Sequence, residues 1–197
     1  MPSPIAHTLA AYAALVIARP SILADRQSNS IAVGTAFVCG ALADADFAMT
    51  VLTHNRVWGH HYFSHSIPFV LFFTAICYLA LRLLRKTPVW EYAWLAGLAY
   101  ATHLLLDYFT EDGSRPYGIP LLWPFTGHHF MAPVNIFYSI HRGDLQAIFG
   151  PHNLKAIIVE IVVLSPIVLL SVLRALRLLH RGPTNAADAA AAKQRVS

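Results

Sequence analysis

Residues 67–84 read IPFVLFFTAICYLALRLL, eighteen positions with no charge before Arg82. At about 1.5 Å rise per residue, a helix of that length crosses the hydrocarbon of a bilayer. Lipid leaves no water to satisfy backbone N–H and C=O groups, so only helices or closed barrels span it, and the run lacks the period-two alternation of a barrel strand. Comparable runs lie on either side. Ser3-Pro4 reads as a cap and first helical residue ahead of Ile5–Ala18, which Arg19-Pro20 interrupts. After a polar stretch, 25–30, come Ile31–Ala43, then Val89–Thr110, then Ala156–Leu179 with Pro166 as an expected kink. The last three runs are each about 18–24 residues long, and the first two are shorter. The fold class expected is all-α: a polytopic membrane helical bundle of about five helices with a long outer loop, 111–154.

Composition agrees. Of 197 residues, 56% are apolar and 12% charged, against about 25% charged in soluble domains. Residues 1–180 are expected to form one membrane-embedded domain, and 181–197, rich in Ala, Asn and Lys, a disordered tail. No basic segment precedes the first apolar run, so it is expected to be a helix and not a cleaved signal peptide. Cys39 and Cys77 sit in apolar runs without zinc-finger spacing and read as small buried hydrophobes. The basic residues are not interleaved with aromatics, so no nucleic-acid partner is expected. With five crossings, one side collects ten of the 14 Lys and Arg residues, and the other only Arg56, Arg115, Arg142 and Lys155. The positive-inside rule then puts the C-terminus in the cytoplasm and the His-rich segments outside. Trp58, Tyr62, Tyr108, Tyr117 and Trp123 suit an outer aromatic belt, Trp90 and Trp94 an inner one.

The ionisable side chains gather toward one end of these runs. His7 opens the first, Asp44 and Asp46 close the second, His60, His61 and His65 lead into the third, and His103 and Asp107 sit near the exit of the fourth. Crossing in turn, the runs bring all of them to one surface. Such groups are costly in or beside hydrocarbon and point to function. His103 and Asp107, at i and i+4, share a helical face, with Thr102 or Thr110 as supporting partners. Counting His54, four histidines fall within the twelve positions 54–65.

Mixed nitrogen and oxygen donors suit zinc, manganese or ferrous iron, with zinc or manganese first. His7, Asp44, Asp46, His65, His103 and Asp107 form the candidate metal set, filling one site or two bridged by a carboxylate. Two ions would clamp an ester or phosphoryl group and generate hydroxide at neutral pH. His60 and Asp46 are the candidate catalytic residues, His60 as general acid or base. Arg56 or Arg115 is a candidate for holding an anionic group. His128, His129 and His141 read as surface residues of the outer loop, whose apolar segment 119–125 is expected to cover the site. GxSxG, Walker, Rossmann and HExxH patterns are absent.

The ordered set Pro4-Ile-Ala-His7, Leu42-Ala-Asp44-Ala-Asp46, His60-x4-His65-Ser66, His103-Leu-Leu-Leu-Asp107 and Leu121-Leu-Trp-Pro-Phe125 resembles the YdjM-like family of inner-membrane metal-dependent hydrolases of bacteria and archaea. The resemblance spans residues 4–126 and implies a polytopic membrane protein with a divalent-metal site built from these His and Asp residues. It implies no substrate. One departure stands out. Such proteins often carry His-Arg-Gly before Thr-His-Ser, whereas here His60-His61-Tyr62 leads into Ser64-His65-Ser66. If that Arg grips an anion, another residue does so here or the substrate differs.

The function expected is hydrolysis of a lipid-linked or amphipathic ester, a phosphoester first, at the outer face of the bacterial inner membrane, with a membrane lipid as the partner. The sequence leaves the oligomeric state open. A metal or proton transporter, or a non-enzymatic metal-stabilised membrane factor, is the alternative. Against transport, polar groups are sparse in the cytoplasmic halves and no inverted repeat is evident.

Overall fold

The computed structural model describes residues 1–46, 63–85, 88–113, 115–141 and 145–181. Five helices account for most of them: α1 (Pro4–Ala18), α2 (Arg26–Ala41), α3 (Ile67–Leu83), α4 (Val89–Tyr108) and α5 (Pro151–His180). Among the described residues there are no strands, only two isolated bridges, Thr110 with Phe137 and Ile119 with Phe130. The all-helical expectation holds.

Local chemistry sets the helix ends. Ser3 caps α1 by accepting the Ala6 N–H, with Pro4 at the first position. Pro20 stops α1 because it disfavours helical geometry at Arg19, which sits at φ −137° and ψ 84°. Ser66 caps α3 through the Phe69 N–H, ahead of Pro68. The polar stretch 25–30, expected as a connector, is instead the first turn of α2. Asp25 accepts the Ser28 N–H at 2.8 Å, and this cap starts the helix before its apolar residues begin. Likewise α5 starts five residues early, at Gly150-Pro151, and runs through Pro166 for 30 residues.

Helices α1 and α4 form the middle of the bundle. α1 packs against α2, α4 and α5, while α4 packs against α1, α2 and α3. At Gly40 α1 and α2 approach closely: a Cβ there would meet the His7 carbonyl oxygen at 2.9 Å. The core between them is small-residue and aliphatic, with Ala11, Leu15, Ala36 and Ala99 buried. The residues after α4 fold back over one end of the bundle. Ala132 and Ile136 donate to the Tyr108 and Phe109 carbonyls, and Ile67 donates to Leu121 at 2.9 Å. Gly118, at φ 88°, lets that loop cross Phe130, whose carbonyl leaves no room for a Cβ. Ile119 is thereby buried against Ala43, Tyr100 and Leu104.

Gln146–His180 is the one stretch among the described residues long and apolar enough to cross a membrane. Helices α1 and α3 are apolar but shorter, at 15 and 17 residues. The 20-residue α4 carries Glu91, His103 and Asp107.

Candidate metal centre

Chain direction delivers the site. His7 lies one turn into α1, while His103 and Asp107 lie in the last two turns of α4. Asp44 ends the 3-10 turn Leu42–Asp44 that follows α2, and His65 ends the 3-10 turn Phe63–His65 that precedes α3. All five meet at the loop-covered end. His103 Nε2 is 3.1 Å from Asp107 Oδ2, 3.3 Å from Asp44 Oδ1 and 3.2 Å from His65 Nε2. His65 Nε2 is 3.3 Å from Asp107 Oδ2 and 3.8 Å from Asp44 Oδ1. The His7 ring stacks on His103 at 3.7 Å, with Nε2 3.8 Å from Asp107 Oδ1. His7, His103 and Asp107 make one group with metal-ligand spacing, and Asp44, His65 and His103 another, sharing His103.

Hydrogen bonds behind the cluster set its tautomers. The Gly40 carbonyl can only accept, so His103 Nδ1, 2.6 Å away, carries the proton and donates it. The Asp46 carboxylate, 3.2 Å from His65 Nδ1, does the same for His65 and also accepts from Ser64 Oγ at 2.7 Å. Tyr100 holds that turn by donating to the Ser64 carbonyl at 2.9 Å. With both imidazoles neutral, the Nε2 lone pairs face each other at 3.2 Å, an arrangement that a shared metal ion relieves and that, without one, the neighbouring carboxylates relieve by favouring extra protons. His7 Nδ1 and Nε2 and both Asp107 oxygens are buried without a hydrogen-bond partner. Buried polar atoms are rarely left so. Donors about 2.0–2.1 Å from a tetrahedral ion stand roughly 3.3–3.4 Å apart, the scale of the separations seen here. Three neutral imidazoles with the Asp44, Asp46 and Asp107 carboxylates would leave a negative site whose charge a divalent cation offsets in large part. The residues present fit a metal ion.

The field of these groups shows at the cluster's edge. Burial would raise the Asp44 carboxyl, but hydrogen bonds with His103 and His65 outweigh it and hold Asp44 well below the usual carboxylate range. Burial would lower His65, yet Asp107, Asp44 and Asp46 hold it well above its ordinary value. Asp44 is the most accessible of the group, its side chain 15% exposed against 0–2% for the others.

Several sequence candidates lie elsewhere. Asp46 touches the Nδ1 side of His65 and not the Nε2 side where the other donors meet. The Thr102 and Thr110 hydroxyls, expected to support His103 or Asp107, donate to the Ala99 and Leu106 carbonyls of their own helix. Arg115 is exposed over the Tyr117 ring, and His141 stacks on His152 at 3.8 Å. His60, His61, His54 and Arg56 lie outside the described residues, as do Trp58, Tyr62 and the tail 182–197.

Sequence reasoning missed Glu160, fully buried on α5. Its carboxylate accepts the Ser3 N–H at 2.7 Å and the Ser3 hydroxyl. Ser3 caps α1, and its carbonyl receives the His7 N–H. Glu160 thus fixes the helix start that carries His7. The signal was present as a lone carboxylate inside the apolar run 156–179.

Fold and site together define a class: an all-helical protein with a buried His/Asp cluster suited to a metal ion. The chain belongs to the YdjM inner membrane protein family, whose model matches residues 1–180. No curated protein and no solved structure matches it.

Proposed function

We propose that this protein is a membrane-embedded, divalent-metal-dependent hydrolase acting on a lipid-linked or amphipathic ester, a phosphoester first. The observation that carries the proposal is the convergence of His7, Asp44, His65, His103 and Asp107 from separate segments, with the His7 and Asp107 side chains buried and their polar atoms lacking hydrogen-bond partners. Zinc or manganese, as one ion or two, suits these donors. A divalent ion held there supplies Lewis acidity toward an ester or phosphoryl oxygen and hydroxide at neutral pH.

The chain's own residues do the rest. Gly40 and Asp46 orient the imidazoles of His103 and His65, so Asp46 acts as a positioning residue behind His65. Asp44, the partly exposed member, marks the side from which substrate arrives. His60, five residues before His65, is proposed as the general acid or base, its ordinary pKa being close to neutrality. The five helices are proposed to cross the inner membrane with the C-terminus in the cytoplasm, following the distribution of Lys and Arg. The cluster then faces outward, where a lipid headgroup reaches it without leaving the bilayer.

One observation favours a second reading, a structural metal without turnover. Four of the five donors are almost sealed from solvent, and closed sites are the structural kind. Metal analysis of the purified protein, followed by a screen of phosphoester and acyl-ester lipids, separates the two. The hydrolase is expected to release product only when metal-loaded, and to lose turnover in Asp107→Asn. Bound metal that raises thermal stability without turnover on any ester would leave the structural role.

A further inference from the structure

We propose that the cleft between α2 and α3, which opens at the end of the bundle away from the His/Asp cluster, binds an acyl chain of an anionic glycerophospholipid and holds its phosphate at a mouth lined by Arg19. The cleft measures about 670 Å³, within the roughly 300–1,000 Å³ typical of small-molecule sites. Ile31 and Cys39 of α2 form one wall, Cys77 and Leu81 of α3 the other, and Leu15 and Leu95 the floor. Both helices pack against α4, and the cleft is the gap between them. Its α2 wall runs from Ser28 to Cys39, about 16 Å of helix, or roughly half the ~30 Å hydrocarbon core. That is the depth of one leaflet.

The mouth is basic. Arg19 lines it, anchored by Glu91 at 3.1 Å and lying over the Tyr92 ring. Arg26, in the first turn of α2, Arg82, in the last turn of α3, and Arg85 just beyond it are exposed at the same end without lining the cleft. The carboxylates at this end are already engaged, Glu91 with Arg19 and Asp25 with the α2 N-terminus. Guanidinium groups bind phosphate oxygens in pairs, and basic pockets between membrane helices take anionic headgroups. An apolar slot with arginines at one end matches an amphiphile with a negative head. The proposal rests on the bundle lying in a bilayer and not on the hydrolase reading.

The test uses full-length protein, delipidated in detergent and titrated with dioleoyl phosphatidylglycerol or, separately, dioleoyl phosphatidylcholine. Phosphatidylglycerol is expected to raise the thermal midpoint by at least about 5 °C, and phosphatidylcholine by much less. Ala80→Trp fills the cleft from the α3 wall and should abolish the response, and Cys77→Phe serves the same purpose should Ala80→Trp fail to fold. The double variant Arg19→Gln/Arg82→Gln should respond equally to the two lipids. An equal response of the wild-type protein to both lipids would overturn the proposal, as would an undiminished response in the filled variant. A lipid-insensitive dimer that Ala80→Trp splits would overturn it too, making the occupant a second copy of the chain.

Discussion

Opposite ends of the same helices carry opposite chemistry. At the loop-covered end, α1 and α2 come within contact at Gly40, and imidazoles and carboxylates fill the space between helix ends. At the other end, α2 and α3 stand apart around an apolar cleft, and the one charged side chain lining it among the described residues is the Arg19 guanidinium. The difference teaches where close packing is required. Polar donors must be brought within about 3–4 Å of each other to share an ion, which needs glycine and alanine at the helix contacts. The apolar cleft carries no such demand, and its helices can spread.

The contrast is broken most sharply by Asp107→Ala. It leaves His7, His65 and His103 packed together without their shared carboxylate, and removing one partner of a buried charge group costs about 3–5 kcal/mol. Denaturant unfolding should show a loss of that size, while Arg19→Ala at the exposed mouth should change stability by about 1 kcal/mol or less. Glu160→Ala comes next. It strips two hydrogen bonds from buried Ser3, which costs about 1–3 kcal/mol. Because Ser3 carries the start of α1, metal affinity should fall with it, and Glu160→Gln should restore both in part. If Glu160→Ala bound metal as the wild type does, the link from α5 to His7 would be broken.

Asp46→Asn should leave the fold intact and weaken metal binding roughly 10- to 100-fold, the usual effect of losing a carboxylate behind a ligating histidine. A complete loss of metal would make Asp46 a direct ligand instead. The smallest effect belongs to Asp25, far from the cluster. Hydrogen bonds from Ser28 hold its carboxyl below the ordinary value. The stability it contributes is therefore present above the unfolded-state pKa and lost as pH falls through the lower folded one. Asp25→Ala should lower the midpoint slightly at neutral pH, reduce that acid-side slope, and leave metal content unchanged.

Much of this was legible in the chain. Alternating helix direction places the ends of successive apolar runs together, which is why His7, Asp44, His65, His103 and Asp107 could be grouped without coordinates. The helix period also carried a clue about Asp44 and Asp46. Residues two apart point about 200° away from one another on a helix, so both could not easily face one ion. The start of α2 was hidden because residues 26–30 have no apolar periodicity, and only the Asp25 cap announces it. Glu160 stayed hidden because its partner, Ser3, is 157 residues away. The cleft was illegible because a gap between helices depends on crossing geometry, which no spacing of apolar residues encodes.

Elemental analysis of the purified full-length protein beside His103→Ala tests the central claim most directly, since His103 is common to both donor groups. One or two equivalents of a divalent transition metal should accompany the wild-type chain, and the variant should lose them while still folding as a helical protein by circular dichroism. A wild-type chain that stays metal-free after incubation with zinc and with manganese, or a His103→Ala chain that retains its full complement, would contradict the account.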